Sequence, residues 1–118
     1  MKEVRSVPAG RGLLALYLDK EDKAGFSGQV RAEAVGVTFR FSSLSSMAVM
    51  TEQLLDLPEE ALPEAAPAPA GNSDFEVEIL FRQSYSWQGR FRRTGEGQWE
   101  NFHSVLELMT LLESALTE

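Results

Sequence analysis

The residues of this chain that could carry out chemistry are few and widely spaced. The 118 residues include one histidine, His103, and no cysteine, which excludes disulfides and thiolate metal sites. Nucleophilic catalysis needs a nucleophile, a base and an orienting group, yet no serine lies in a Gly-x-Ser-x-Gly turn. Gly10-Arg11-Gly12 is too short for a phosphate loop and precedes a strand pattern. We therefore predict no enzyme activity, no cofactor and no metal site.

Charge and composition argue against several classes of partner. The formal net charge is -7, with 18 acidic and 11 basic residues, which opposes binding to nucleic acids and to anionic membranes. No apolar run approaches the ~20 residues that span a bilayer, and residues 1–5 lack the apolar core of a signal peptide. Together with the absence of cysteine, this leads us to expect a cytoplasmic protein.

A stretch rich in proline and alanine divides the chain. Four of the five prolines lie within residues 57–73, which read LPEEALPEAAPAPAGNS. Such a segment is extended and semi-rigid, and its closing Gly-Asn-Ser is typical of a turn. We predict a linker over residues 58–73 with few contacts, and a short helical turn can form within residues 58–66. The flanking halves are residues 1–57 and 74–118.

Each half carries the same succession of apolar patterns. Alternation at residues 14–18, 26–30 and 37–41 predicts three strands, and helical spacing at residues 44–55 predicts a helix that begins after the cap residue Ser43. In the second half the corresponding strand patterns start at Phe75 and Trp87 and end at Phe102, before a Ser-x-x-Glu capping box that starts at Ser104.

The two halves align without a gap at an offset of 61 residues. Gly28 then falls on Gly89 and Arg31 falls on Arg92. We predict an α+β fold built by tandem duplication of a β-β-β-α unit, with antiparallel sheet pairing, two helices and pseudo-twofold symmetry. One such unit alone would be barely stable, so we expect the repeats to pack as one compact domain. An alternative arrangement closes the six strands into a small barrel.

The strand and helix of the second half carry a family resemblance. Residues 86–91 read S-W-Q-G-R-F, and residues 102–108 read F-H-S-V-L-E-L before a leucine-rich helix. This third of the chain resembles a group of short bacterial proteins with no assigned activity, so the resemblance implies no function. The order of three strands and a helix also resembles DNA-binding domains of plant transcription factors and integrase arms, but the acidic charge departs from that pattern.

The outward side of the predicted sheet mixes arginines with aromatic residues. The candidate binding residues on this side are Tyr17, Arg31, Arg40, Arg90, Arg92, Trp99 and Asn101. Arginine planes and indole rings can stack on bases or hold extended peptides. We favour the simpler interpretation, in which Glu76 and Glu78 pair across the strands with Arg90 and Arg92.

Trp99 departs from the internal alignment. It aligns with Thr38, while the inward position of Phe39 is taken by Glu100. Either Trp99 is exposed, or the third strand of the second half is shifted by one residue, which would turn Trp99 into the core. The sequence leaves both alternatives open.

The two predicted helices differ in their flanks. The second carries Leu106 and Leu111 beside its inward stripe, which predicts an interface. The first carries polar flanking residues, among them Ser45 and Glu52. We therefore predict a small, non-catalytic protein-interaction or scaffold module that self-associates or binds a protein partner. The alternatives are a nucleic-acid-binding module that uses the arginine and aromatic residues, and a small-ligand binder with its site between the repeats.

Overall fold

The chain forms one antiparallel sheet and two α-helices, which is the α+β class predicted from the sequence. The computed structural model describes residues 5–6, 12–19, 26–82 and 86–116. In chain order the elements are β1 (Arg5–Ser6), β2 (Leu13–Leu18), β3 (Gly28–Ala32), β4 (Val37–Phe41), α1 (Leu44–Asp56), a 3-10 turn (Glu59–Ala61), β5 (Phe75–Arg82), β6 (Gln88–Arg93), β7 (Glu100–Phe102) and α2 (Val105–Leu116).

The strands lie in the order β4-β3-β2-β5-β6-β7, and the short β1 also pairs with β5. The strands of the first half thus meet those of the second half edge to edge, at the pairing of β2 with β5. In the described part of the chain β4 and β7 pair only on their inner sides, so the sheet is open. The alternative of a closed six-stranded barrel is wrong.

Near their starts, β3 and β6 each approach the backbone of the preceding strand unusually closely. A Cβ atom at Gly28 would lie 2.1 Å from the carbonyl oxygen of Tyr17, and one at Gly89 would lie 1.9 Å from that of Glu78. Real Cβ atoms do not come this close to backbone atoms. Both positions therefore require glycine, because any side chain would push the neighbouring strand away.

One face of the sheet and both helices enclose the core. Most of the alternating apolar residues predicted to point inward are buried there with the inner stripes of α1 and α2 in one continuous cluster, and Leu18, Phe26 and Phe39 are half-buried against it. The largest fully buried side chains are Trp87, Phe41, Phe75 and Phe102. In the described ranges, neither helix is both long and apolar enough to span a membrane.

Each helix begins at a serine that accepts a hydrogen bond from the backbone. The Ser43 hydroxyl accepts from the amide of Ser46, whose side chain bonds back to the Ser43 amide. In α2 the Ser104 hydroxyl accepts from the Glu107 amide at 3.0 Å, and the Glu107 carboxylate accepts from the His103 amide at 2.9 Å. Otherwise unpaired amides of the first turn are satisfied in this way.

The linker contains a short 3-10 turn at Glu59–Ala61, within the residues 58–66 where the sequence allowed a helical turn. The prediction that it makes few contacts needs correction at Ala66. The Ala66 amide donates to the Gly36 carbonyl at 3.0 Å, and Arg31 donates to the Ala66 carbonyl at 2.8 Å. These bonds join the linker to β3 and to the turn that follows it, 35 and 30 residues earlier in the chain, where no local pattern could indicate them.

Candidate functional site

Three of the seven candidate binding residues come together on the open face, the side of the sheet opposite the helices. The guanidinium carbons of Arg90 and Arg92 lie 4.5 Å and 4.4 Å from the ring centre of Trp99. Arg90 also donates to Glu78 at 2.7 Å, and Arg92 lies 3.3 Å from Glu76. The cross-strand pairs that we favoured are therefore formed, and the indole ring covers part of both arginines.

Trp99 reaches this position without any shift of its strand. In β7, Glu100 lies opposite Phe91, which matches the pairing of Phe39 with Val30 in the first half. The strand register therefore agrees with the internal alignment, and the slipped alternative is wrong. Trp99 precedes β7 and is half-buried against the open face. The structure is closer to the alternative in which Trp99 is exposed, and Arg90 and Arg92 cover part of its ring.

The other candidate arginines have partners of their own. Arg31 donates to the Thr38 hydroxyl at 3.1 Å in addition to the linker carbonyl. Arg31 and Arg92 lie on β3 and β6, three strand spacings apart, or ~14 Å. Tyr17 is half-buried and Asn101 is exposed. The structure thus spreads the seven residues over the sheet rather than around one groove.

Arg40 of β4 forms an exposed ion pair with Asp19, the residue that follows β2. The two side chains approach to 2.8 Å, and the Ser27 hydroxyl donates to the same carboxylate at 2.9 Å. The hydrogen bond from Arg40, followed by that from Ser27, holds the pKa of Asp19 below its usual 3.8. The carboxylate form is thereby favoured, and the charge of Arg40 is neutralised.

The helix side of the molecule presents a different surface, an open apolar groove between α1 and α2. We call this the interhelical groove; its volume is about 570 Å³. It is lined by Ser45, Ala48, Val49, Ser86, Ser104, Val105, Leu106 and Met109. None of these side chains is charged, and two are unusually exposed for large apolar residues, Leu106 at 72% and Val49 at 43%.

The two leucines predicted to form an interface lie in different surroundings. Leu106 borders the interhelical groove, whereas Leu111 is half-buried and packs against the core. Leu111 also lines a separate polar cleft of about 370 Å³ beside Arg92, Trp99 and Glu100. Of these two leucines, only Leu106 exposes the apolar surface that an interface needs.

The sequence predicts that Glu52 lies on the polar flank of the first helix, and the structure corrects this prediction. Its residue exposure is 7%, and its carboxylate accepts hydrogen bonds from Trp87 at 2.7 Å and from Arg82 at 2.8 Å. Arg82 also bonds to the Asp56 carboxylate and the Leu55 carbonyl. We call Glu52, Trp87 and Arg82 the buried charge cluster; Asp56, which also pairs with Arg82, is exposed. The cluster joins α1 of the first half to β5 and to the residue before β6 in the second.

The single histidine lies on the surface. The His103 side chain is exposed, and its Nδ1 atom lies 3.2 Å from the Glu107 carboxylate at the start of α2. Among the residues that the structure describes, no three His, Asp or Glu side chains are arranged to hold a metal ion.

Comparison with known proteins adds no family to this description. No family model matches the chain, and no curated protein or solved structure shows significant similarity to it.

Proposed function

We propose that this protein is a non-catalytic protein-interaction module that binds its partner through the interhelical groove. The observation that carries the proposal is the exposure of Leu106 beside an uncharged, apolar groove. Exposed apolar surface is unfavourable in water, and a concave apolar patch with polar surroundings commonly marks a protein-binding site. Burial of Leu106 and Val49 by a partner would remove this unfavourable surface.

The paired arginines of the open face support the choice of the helix side. Arg90 and Arg92 would have to give up Glu78 and Glu76 before they could hold a phosphate. Arg31 donates a hydrogen bond to the Ala66 carbonyl of the linker, and Arg40 forms an ion pair with Asp19. With a net charge of -7, the molecule gains little from an approach to nucleic acid.

The proposal extends to the origin of the fold, which we infer to be a tandem duplication with pseudo-twofold symmetry. At the central pairing of β2 with β5, Leu14 lies opposite Val77 and Leu16 lies opposite Phe75. In the internal alignment Leu14 corresponds to Phe75 and Leu16 corresponds to Val77. Exchanging the two halves therefore converts each of these pairs into the other. The close backbone approaches at Gly28 and Gly89 follow the same relation. This agreement of register supports a common origin better than residue identity does.

Photo-crosslinking in cells tests the interaction module. A photoreactive residue placed at position 106 should give protein adducts, because this position borders the groove. The matched control is position 113, where Glu113 is exposed on the same helix but does not line the groove. A second change, Val49→Asp, should reduce the adducts formed from position 106. Equal labelling from positions 106 and 113, or no labelling from 106, would count against the proposal.

A further inference from the structure

We infer that the partner in the interhelical groove is a second copy of this chain. The inference rests on the proposed function and names its partner. In the contact that we propose, Leu106 of each copy enters the groove of the other beside Ser45 and Ala48. A twofold axis between the copies makes the two insertions equivalent, as required for a closed dimer.

The shape of the groove supports this arrangement. Its α1 wall carries the small residues Ser45 and Ala48 beside the larger Val49, whereas its α2 wall carries the large residues Leu106 and Met109. A twofold contact can bring Ser45 and Ala48 of one copy opposite Leu106 of the other. The projecting Leu106 then meets a recess instead of another leucine. Met109 can adapt to the remaining space, because its side chain is unbranched and flexible.

The charge distribution favours the same pairing. The first turn of α1 carries no acidic residue, although the start of a helix attracts negative charge. Glu107 directly follows Leu106 in α2, and its side chain is 45% exposed. When Leu106 enters the groove beside Ser45, Glu107 is brought close to the start of the other copy's α1. A basic partner would gain less, because no acidic side chain lines the groove.

The net charge of the chain gives this dimer a characteristic salt dependence. Each copy carries a formal charge of -7, so two copies repel each other at long range. Salt screens this repulsion between seven net charges on each copy more than it weakens the single attraction of Glu107 to the helix start, and it affects the apolar groove contact little. The dimer should therefore become tighter as the salt concentration rises. Nucleic-acid binding through arginines would become weaker under the same change.

Sedimentation velocity on the purified full chain tests the inference. The wild-type protein should pass from monomer to dimer as its concentration rises from low micromolar to near millimolar. Leu106→Glu and Ser45→Lys should each weaken the dimer by about tenfold or more, the scale of a central interface residue. Leu116→Glu is the matched control, because Leu116 is exposed on the same helix outside the groove, and it should leave the dimer intact.

Mixing the two weakened variants tests the geometry directly. In a mixed dimer, Glu at position 106 of one chain meets Lys at position 45 of the other, while the second contact keeps its original Leu106 and Ser45. The mixture should therefore form a dimer at concentrations at which each variant alone is monomeric. Circular dichroism of each variant, matching the wild type, excludes misfolding as the cause of dissociation.

Several results would overturn the inference. A wild-type chain that stays monomeric at every concentration, or a Leu106→Glu variant that dimerises normally, removes the second copy from the groove. Failure of the mixed variants to associate does the same. If the chain is monomeric but position 106 is crosslinked to a different protein, the second-copy inference fails and the interaction module stands. If position 106 gives no adduct at all, the interaction module itself is removed.

Discussion

A carboxylate in a core needs partners for its charge, and Glu52 has two. Trp87 and Arg82 both donate to it, and Trp87 is itself fully buried. The internal alignment places Glu52 on Glu113, which is exposed. Sequence reasoning could not separate these two glutamates, because the difference comes from residues 30 and 35 positions away in the chain.

Removal of the charge from Glu52 should destabilise the protein. We expect Glu52→Gln to lower the free energy of unfolding by about 2 kcal/mol, the range of a hydrogen bond to a charged group. The loss is moderated because Asp56 still neutralises Arg82. Urea unfolding followed by tryptophan fluorescence gives the value. Glu113→Gln is the control and should change the stability by less than about 0.5 kcal/mol; equal effects of both variants would contradict a role for the buried charge cluster.

The ion pair of Asp19 with Arg40 predicts a measurable dependence on pH. The folded pKa of Asp19 lies below 3.8 because Arg40 and Ser27 donate to its carboxylate. Its stabilising contribution is therefore fully present above the unfolded pKa and is lost as the pH falls through the folded pKa. Arg40→Gln should raise the pKa of Asp19 toward 3.8, and its effect on stability should disappear in acid.

Carbon-13 NMR titration of the Asp19 carboxyl group measures this pKa directly. Arg92→Gln serves as the control, because Arg92 lies on β6 and pairs with Glu76. An Asp19 titration that is the same in wild type and Arg40→Gln would show that the ion pair does not form in solution.

Among the elements, the strands could be predicted far better than their connections. Alternating apolar residues indicate β2 to β6, although β3 begins at Gly28 and not at Phe26 as predicted, and the offset of 61 residues gives the correct register even at Trp99. The alternation does not determine which edges of the two halves meet. It also cannot show that the linker binds Gly36 and Arg31. Both depend on contacts between residues that are distant in the chain.

Gly28 in β3 and Gly89 in β6 should not tolerate a side chain. We expect Gly28→Ala and Gly89→Ala each to lower the free energy of unfolding by about 2 kcal/mol or more, as overpacking does. The added methyl group would collide with the carbonyl of Tyr17 or Glu78. Thermal unfolding monitored by circular dichroism provides the comparison.

Gly97→Ala is the control for these two variants. No atom lies within 4 Å of a Cβ placed at Gly97, and its φ angle is not in the left-handed region. Its stability should therefore change by less than about 0.5 kcal/mol. A Gly97→Ala variant as unstable as Gly28→Ala would show that backbone freedom, and not the close approach of the strands, explains the effect.

For the molecule as a whole, the shared core predicts a single unfolding transition. Residues of both halves belong to one buried cluster, and the buried charge cluster connects them a second time. Neither half can therefore unfold while the other keeps its core covered. Urea unfolding followed by tryptophan fluorescence and by far-ultraviolet circular dichroism should give coincident curves. Two separated transitions would show instead that the halves are independent domains.

The central pairing of β2 with β5 also bears on the history of the chain. On the duplication that we propose, an ancestor of half this length met a second molecule along this same strand. The linker replaced that encounter by an intramolecular one, with an effective concentration on the order of millimolar. Proteolytic nicking within residues 63–68, which are exposed, would return the molecule to its ancestral state: two fragments that remain associated, and that recombine after separation.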